Sequence, residues 1–412
     1  MIIPKFKLRF DRRFVKKMQK GVKEILTSGR PLSNSKYCIE FAYNFLYTFM
    51  DKYQFALAVG SGTDALELAL RGCNAEGKTV IISDNTMVAQ PLAIEKIGGK
   101  FQLVDIDLTT LSMDYYELRK KIRGKNIGAV ILTHIGGLVS KDIQAIAELC
   151  KIYDIPLIED CCHALGSPNI GYGDILCFSF FSTKVMTTCE GGLVVTRNTE
   201  YHNKMLQLRQ FGWDSTNTSV IPGGGNMKMT EIQAYMGLLE LKRVKQRIKR
   251  RREINEIYFN NLSPAFYTVY KQEGCPYYKT IVLIPTLERD KIIKYCNTCG
   301  VTMTGFVYDP PVHKQPIYKK KQKYFNSDFF SKHHLCPPNY PELTDEEVEY
   351  ICKVMNEAIK GGSWACFYAK WAAKYMQDEL YSSATEDLGK ASDYLTQSTA
   401  HLNTVSALMK GQ

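Results

Sequence analysis

Phe55-Ala-Leu-Ala-Val59 runs into Gly60-Ser-Gly-Thr-Asp64, and Ala65-Leu-Glu-Leu-Ala-Leu-Arg71 follows. A short apolar run, a glycine turn carrying hydroxyls and a helix-period segment read as a buried strand, a tight turn and a capped helix. The same alternation continues outward. Val80-Ile-Ile82, Phe101-Gln-Leu-Val104, Ala129-Val-Ile-Leu-Thr133 and Pro156-Leu-Ile-Glu-Asp160 are strand-like, with helix-period segments such as 142–153 between them. Strands alternating with helices predict an α/β domain with a mostly parallel central sheet flanked by helices. Ile175 to Phe181 and Leu193 to Thr196 read as a hairpin-connected pair at a sheet edge.

Capping signals predict helix starts at Ser61-Gly-Thr-Asp64, Thr230-Glu-Ile-Gln233 and Thr344-Asp-Glu-Glu347. Past Arg252 the elements shorten and mix. The expected organisation is a large α/β domain over 1–250 with an N-terminal helical segment, a smaller α+β domain over 251–360, and a linker with a helical tail over 361–412. Gly361-Gly-Ser363 opens that last part. Tyr381, Leu388, Leu395, Leu402 and Met409 then fall seven apart, which fits a heptad seam, a docked helix or a fused segment.

The chain has 412 residues, 45% of them hydrophobic and 23% charged, which excludes the disordered and fibrous classes. No apolar run reaches membrane-span length. The basic N-terminal segment lacks the apolar core of a secretory signal, so the expectation is a cytoplasmic protein. The 13 cysteines form no framework; Cys296 and Cys299 are the single CxxC pair, and no metal is expected. The net charge is +11, concentrated at 5–23 and 242–252. Nucleic-acid phosphates would suit those stretches, but a solvated helix face is the plainer reading, and no nucleic-acid or membrane partner is expected.

Three stretches carry chemistry. The turn at Gly60-Ser-Gly-Thr-Asp64 leaves backbone N–H groups free at a helix start, an anion cradle for which phosphate is the obvious guest. Ile158-Glu-Asp160 ends a strand in two carboxylates, and a pyridoxal ring needs one acid to keep its nitrogen protonated. Cys177-Phe-Ser-Phe-Phe-Ser-Thr-Lys184 delivers one lysine from an apolar strand into a turn of small residues. Loss of solvation there favours the free, nucleophilic amine. Taken singly, each has a plain alternative: an ordinary capped helix, a salt-bridged acid, a surface lysine.

In that order and spacing, the chain resembles the DegT/DnrJ/StrS sugar aminotransferases, a branch of the fold type I pyridoxal-phosphate enzymes. The resemblance runs from about Phe14 to Lys360. It includes Val104-Asp-Ile-Asp107, Ile158-Glu-Asp-Cys-Cys-His-Ala164, Thr183-Lys184, Glu190-Gly-Gly192, Gly225-Asn-Met-Lys-Met-Thr-Glu-Ile-Gln233 and Pro311-Val-His-Lys-Gln-Pro316. It implies pyridoxal 5'-phosphate linked to Lys184 as a Schiff base. Gly62, Thr63, Asp64 and Ser179 match phosphate-binding positions. Asp160 matches the acid at the ring nitrogen, and His163 the contact to the phenolic oxygen. Asn226 matches a residue that reaches the neighbouring subunit's phosphate, which implies a homodimer. Met87 stands where an aromatic usually stacks on the ring, and Lys228 where Arg is common.

The implied reaction moves an amino group from glutamate to a keto sugar on a nucleotide diphosphate, with a 4-keto-6-deoxyhexose on dTDP or GDP favoured over a 3-keto sugar. His134, Tyr308 and His313 fall in stretches that could line the sugar pocket. A scaffold protein that kept the fold without turnover is the reading of a different class.

Overall fold

The structure is a computed structural model that describes residues 1–268, 271–284, 289–319 and 322–359. The linker and tail expected over 361–412 lie outside the described residues.

Helices α1 (Arg12–Thr27) and α2 (Lys36–Phe49) precede β1 (Phe55–Val59). Then α3 (Gly62–Gly72), β2 (Thr79–Ser83), α4 (Ala89–Lys96), β3 (Lys100–Val104), α5 (Tyr115–Lys121), β4 (Ile127–Thr133), α6 (Ile143–Ile152) and β5 (Leu157–Asp160) alternate. Strands β6 (Ile175–Ser179) and β7 (Gly192–Thr196) follow in tandem, before α7 (Thr199–Leu208), α8 (Glu231–Leu241) and α9 (Val244–Asn261). The remainder is β8 (Tyr267–Thr268), β9 (Val282–Leu283), α10 (Arg289–Thr298), α11 (Phe325–His333), β10 (His334–Leu335) and α12 (Asp345–Ile359). No helix among the described residues is long and apolar enough to cross a membrane.

The strand order in the main sheet is β1-β7-β6-β5-β4-β2-β3. All neighbours from β6 to β3 are parallel, and β7 runs antiparallel to both β1 and β6. The β6–β7 pair expected from sequence is present but is not at the edge, because β1 pairs along the far side of β7. Alternation on the strands divides the core between two faces. Val59, Ile82, Ile131 and Cys177 pack with α3 and α4, while Leu176, Phe178, Leu193 and Val195 pack with α2 and α8. Buried on both faces, the sheet explains the nearly continuous apolar strands.

All three predicted caps form. Ser61 Oγ accepts the Asp64 N–H at 3.1 Å. Thr230 and Gln233 make a reciprocal box, as do Thr344 and Glu347. The start of α2 is held differently. Ser35 makes no side-chain cap bond, and the Glu231 carboxylate on α8 accepts instead from the backbone N–H groups of Ser35, Tyr37 and Cys38 at 2.9, 2.8 and 3.2 Å.

Helix α9 is continuous across the expected boundary at 250. Its basic run is only partly a solvated face. Lys242, Lys245 and Lys249 are exposed, but Arg247 pairs with Glu342 at 3.1 Å and Arg250 with Asp345 at 2.7 Å. Arg251 is wholly buried, donating to the carbonyls of Tyr278 and Asn339, and Arg252 donates to those of Cys275 and Gly274. These arginines fasten α9 to the segments that follow it. A second sheet, β10-β9-β8, shares a core with α9, α10 and α12 through Ile254, Tyr258, Val282, Ile292, Ile351 and Met355. Among the described residues the cysteines are free thiols, and Cys296 of the CxxC pair belongs to this core.

Candidate active site

Because β7 is antiparallel to both neighbours, β1 and β6 point the same way as β5 and β4. Val59, Ser179, Asp160 and Thr133 therefore end at one edge of the sheet, the carboxyl edge where α/β proteins bind ligands. Gly192 pairs with Val59 on one side and with Ser179 on the other. A side chain there would sit 2.3 Å from the Ser61 carbonyl oxygen, so the glycine lets the turn after β1 close over β7 towards β6. The closure brings Gly62 against Ser179: a Cβ on Gly62 would lie 2.7 Å from Ser179 Cβ and 3.0 Å from its Oγ. The first turn of α3 thus presents backbone N–H groups beside a serine hydroxyl, all partly open to solvent. Asp64 in that turn is pushed up from the usual carboxylate range by burial.

Asp160 is buried at the end of β5. Its Oδ2 accepts from Gln90 Nε2 at 2.7 Å and its Oδ1 from the Cys162 N–H at 3.1 Å. Gln90 also donates to Thr133 Oγ1 at 2.7 Å, so α4 and β4 together fix the carboxylate. The preceding residue points to the other face and serves structure. Glu159 accepts from the backbone N–H groups of Gly171, Tyr172 and Gly173 and faces His134 Nε2 at 3.0 Å. Burial pushes the Glu159 carboxyl up, but His134 and these N–H groups outweigh it and hold the acid low. His134, Glu159 and Cys161 form a cluster of metal-ligand types, yet the Glu159 oxygens are already taken by N–H donors, which fits a bracket for β5.

Lys184 follows β6 in a short turn, where its N–H bonds to the Phe181 carbonyl at 2.9 Å. Its Nζ lies 4.7 Å from the centre of the Tyr278 ring. The Tyr278 hydroxyl meets Thr183 Oγ1 at 3.0 Å, and its ring lies 4.3 Å from the His163 ring. His163 Nδ1 accepts from the Gly136 N–H at 3.3 Å, which leaves the proton of a neutral ring on Nε2, 3.3 Å from the Tyr308 hydroxyl. The ring stays neutral because burial, and then the charges of Lys184 and Lys279, push its pKa well below the ordinary histidine value. Tyr308 is itself placed by Asn85, which accepts from the Tyr308 N–H at 2.8 Å and donates to the Val307 carbonyl at 3.2 Å.

Of the residues singled out from sequence, Gly62 with Ser179, and Asp160, His163, Lys184 and Tyr308, gather at this edge. Met87, 45% exposed, stands one turn before Gln90. Asn226 is exposed on a strip that bridges Gln210, away from the Lys184 cluster's own contacts. Lys228 lies over the Phe211 ring at 4.5 Å. Two of the expected pocket residues are held by carboxylates. His134 is wholly buried against Glu159, and His313 is buried between Asp84 at 2.7 Å and Asp328 at 3.3 Å. A buried imidazole finds the nearest carboxylate, and each ring is fixed by one. Gln90, Thr183, Tyr278 and Lys279 were missed; a polar residue in an unremarkable helix or loop gives no local signal.

The residues fit pyridoxal 5'-phosphate. A phosphate suits the α3 N-terminus beside Ser179, Asp160 offers a fixed carboxylate for a ring nitrogen, His163 offers an N–H donor, and Lys184 offers an amine.

The comparisons agree with this geometry. The family model for the DegT/DnrJ/EryC1/StrS aminotransferases matches residues 13–356. The GDP-perosamine synthase of Escherichia coli O157:H7 is 33% identical over 337 residues, covering 76% of this chain and 90% of that protein. The UDP-4-amino-4,6-dideoxy-N-acetyl-beta-L-altrosamine transaminase of Campylobacter jejuni is 29% identical over 320 residues, 72% of this chain and 83% of that one. In fold, the crystal structure of NtdA from Bacillus subtilis with bound cofactor PMP superposes with a TM-score of 0.80 at 24% identity, over 85% of this chain and 83% of that one. The chain belongs to the DegT/DnrJ/EryC1/StrS aminotransferase family.

Proposed function

We propose that this protein moves an amino group from glutamate to the 4-keto carbon of a 6-deoxyhexose carried on GDP or dTDP. The product would be a 4-amino-4,6-dideoxy sugar, made in the cytoplasm for glycan assembly. The observation that carries the reading is the meeting of Lys184, His163, Tyr278 and buried Asp160 beside the Gly62–Ser179 cradle, in a member of this family. The names of the two curated relatives support a nucleotide sugar, and the second supports amination at C4 of a 4,6-dideoxy sugar.

When bound, pyridoxal phosphate supplies an aldehyde that links to amines and a ring that withdraws electrons from the neighbouring carbon. The protein's residues do the rest. The N–H groups of Gly62, Thr63 and Asp64, with the Ser179 hydroxyl, would hold the phosphate at the positive end of α3. Asp160, locked by Gln90 and the Cys162 N–H, would keep a proton on the ring nitrogen. His163 would donate from Nε2 to the phenolic oxygen, and Met87 would cover a ring face with its thioether. Lys184 would hold the cofactor through its amine and, when that amine is free, would serve as the base that moves the proton at the donor's α-carbon. Asn226, exposed in one copy, would complete the phosphate site of a second, so the working form would be a homodimer.

The test is the absorbance spectrum of protein supplied with the cofactor, before and after glutamate, for the wild type and for Lys184→Ala. The expected result is a lysine-linked band that glutamate bleaches to the amine form, absent from the variant. A folded wild-type protein with no such band would leave a non-catalytic scaffold on this fold. A screen of 4-keto and 3-keto nucleotide sugars against the amine form then decides the position aminated.

A further inference from the structure

Lys279 follows Tyr278 in the segment leading to β9, and its backbone N–H reaches the Gly136 carbonyl at 3.4 Å. Its Nζ lies 5.6 Å from the centre of the same Tyr278 ring that Lys184 approaches at 4.7 Å. Tyr278 is 9% exposed, and its hydroxyl is fastened to Thr183. One fixed aromatic wall thus carries two ammonium groups, no farther apart than the sum of those two distances. Neither lysine enters any ion pair among the described residues. The buried acid of the site, Asp160, is held by Gln90 and a backbone N–H. The charge of Lys279 also reaches His163 and Cys336. A half-buried, unpaired ammonium is costly unless an anion completes it. The Tyr278 ring offsets part of that cost, not all of it.

We propose that Lys279 binds a carboxylate of the amino donor and so sets the donor's orientation at Lys184. The inference rests on the transaminase reading above. Both proposed substrates carry anions, and geometry separates them. The donor's α-carboxylate is one bond from the carbon that exchanges its proton with Lys184. Its partner must therefore lie beside that amine, and Lys279 approaches the same tyrosine ring that Lys184 does. The diphosphate of a nucleotide sugar is separated from its keto carbon by the sugar ring, so its partners need not lie at that ring. A five-carbon dicarboxylic amino acid is short enough to present its amine to the cofactor while a carboxylate meets Lys279.

The test uses the cofactor-loaded protein and glutarate, which has glutamate's two carboxylates but no amine to react. Titration calorimetry compares wild type, Lys279→Met and Lys279→Arg for glutarate and, separately, for GDP and dTDP. Loss of a charge-assisted contact predicts roughly tenfold or weaker glutarate binding in Lys279→Met. Lys279→Arg should keep most of the affinity, and nucleotide binding should not change. In single-turnover bleaching by glutamate, Lys279→Met should need a correspondingly higher concentration for half-saturation and should bleach more slowly at saturation. A cofactor band that forms normally while Lys279→Met binds glutarate as wild type overturns this inference alone. So does weakened nucleotide binding with glutarate unaffected, or a loaded wild type that takes up no glutarate. A wild type that forms no cofactor band overturns the transaminase reading and this inference with it.

Discussion

His334 links the acid stability of this protein to the placing of Tyr308. Its ring is wholly buried and lies parallel to Phe330, with centroids 4.2 Å apart. Nδ1 donates to the Phe330 carbonyl at 2.7 Å, and Nε2 accepts from the Val307 N–H at 2.9 Å. A neutral imidazole satisfies both bonds; an imidazolium would turn two N–H groups towards each other at Nε2. Burial pushes the pKa down from 6.5 to about 4. The folded value lies below the unfolded one, so the stabilisation is complete above the unfolded pKa and is lost as pH falls from 6.5 towards 4. At about 1.4 kcal/mol per unit, the interval amounts to roughly 3–4 kcal/mol, most of which is gone by pH 4.5. Urea unfolding of wild type and His334→Gln at pH 7.5 and pH 4.5 isolates the contribution from that of other titrating groups. Wild type should lose roughly 2–3 kcal/mol more than the variant across that interval. Because Val307 precedes Tyr308, the variant should also weaken the Tyr308–His163 contact and slow transfer at neutral pH. Parallel pH profiles for the two proteins would refute the assignment of a neutral, bond-locked imidazole.

Three further outcomes follow from the geometry. Gly62→Ala puts a methyl 2.7 Å from Ser179 Cβ in the proposed phosphate cradle; the cradle must open to admit it, and cofactor affinity, read by absorbance titration, should fall by at least about tenfold. Asp160→Asn keeps the size and one acceptor beside Gln90 but removes the charge; the cofactor should still bind, with glutamate bleaching slowed on the order of 100-fold in stopped-flow absorbance. Glu231→Ala strips three backbone N–H groups at the start of α2 of their acceptor; urea unfolding should show a loss of roughly 2–3 kcal/mol, and a loss under about 0.5 kcal/mol would mean that water caps α2 unaided.

The elements were legible in sequence where one local signal governs them. Strands β2 to β5 follow from short apolar runs, and the starts of α3, α8 and α12 from hydroxyl-led boxes whose bonds all form. Strand order is a different kind of fact. Nothing in Phe55 to Val59 says that it pairs with β7, since that contact depends on Gly192, more than a hundred residues away, lacking a side chain where Ser61 passes. The basic helix was misjudged for a related reason. A run of arginines looks solvated until Tyr278, Asn339 and Gly274 offer carbonyls to it, and those acceptors are backbone atoms that no residue type announces.

The site divides in the same way. Lys184, Asp160 and Gly62 were readable because each belongs to the end of a strand or to the turn after one, and parallel strands bring such ends to one edge whatever their order, while Ser179 came from the family resemblance. The groups that tune them come from elsewhere. Gln90 is in the first turn of α4, and Tyr278 and Lys279 lie in an irregular segment held by Arg251 and Gly136. Histidine misled where the others did not. Its ring competes for carboxylates in the fold itself, so His134 went to Glu159 and His313 to Asp84, while His163, beside two lysines and facing no carboxylate, stays neutral with one N–H to offer.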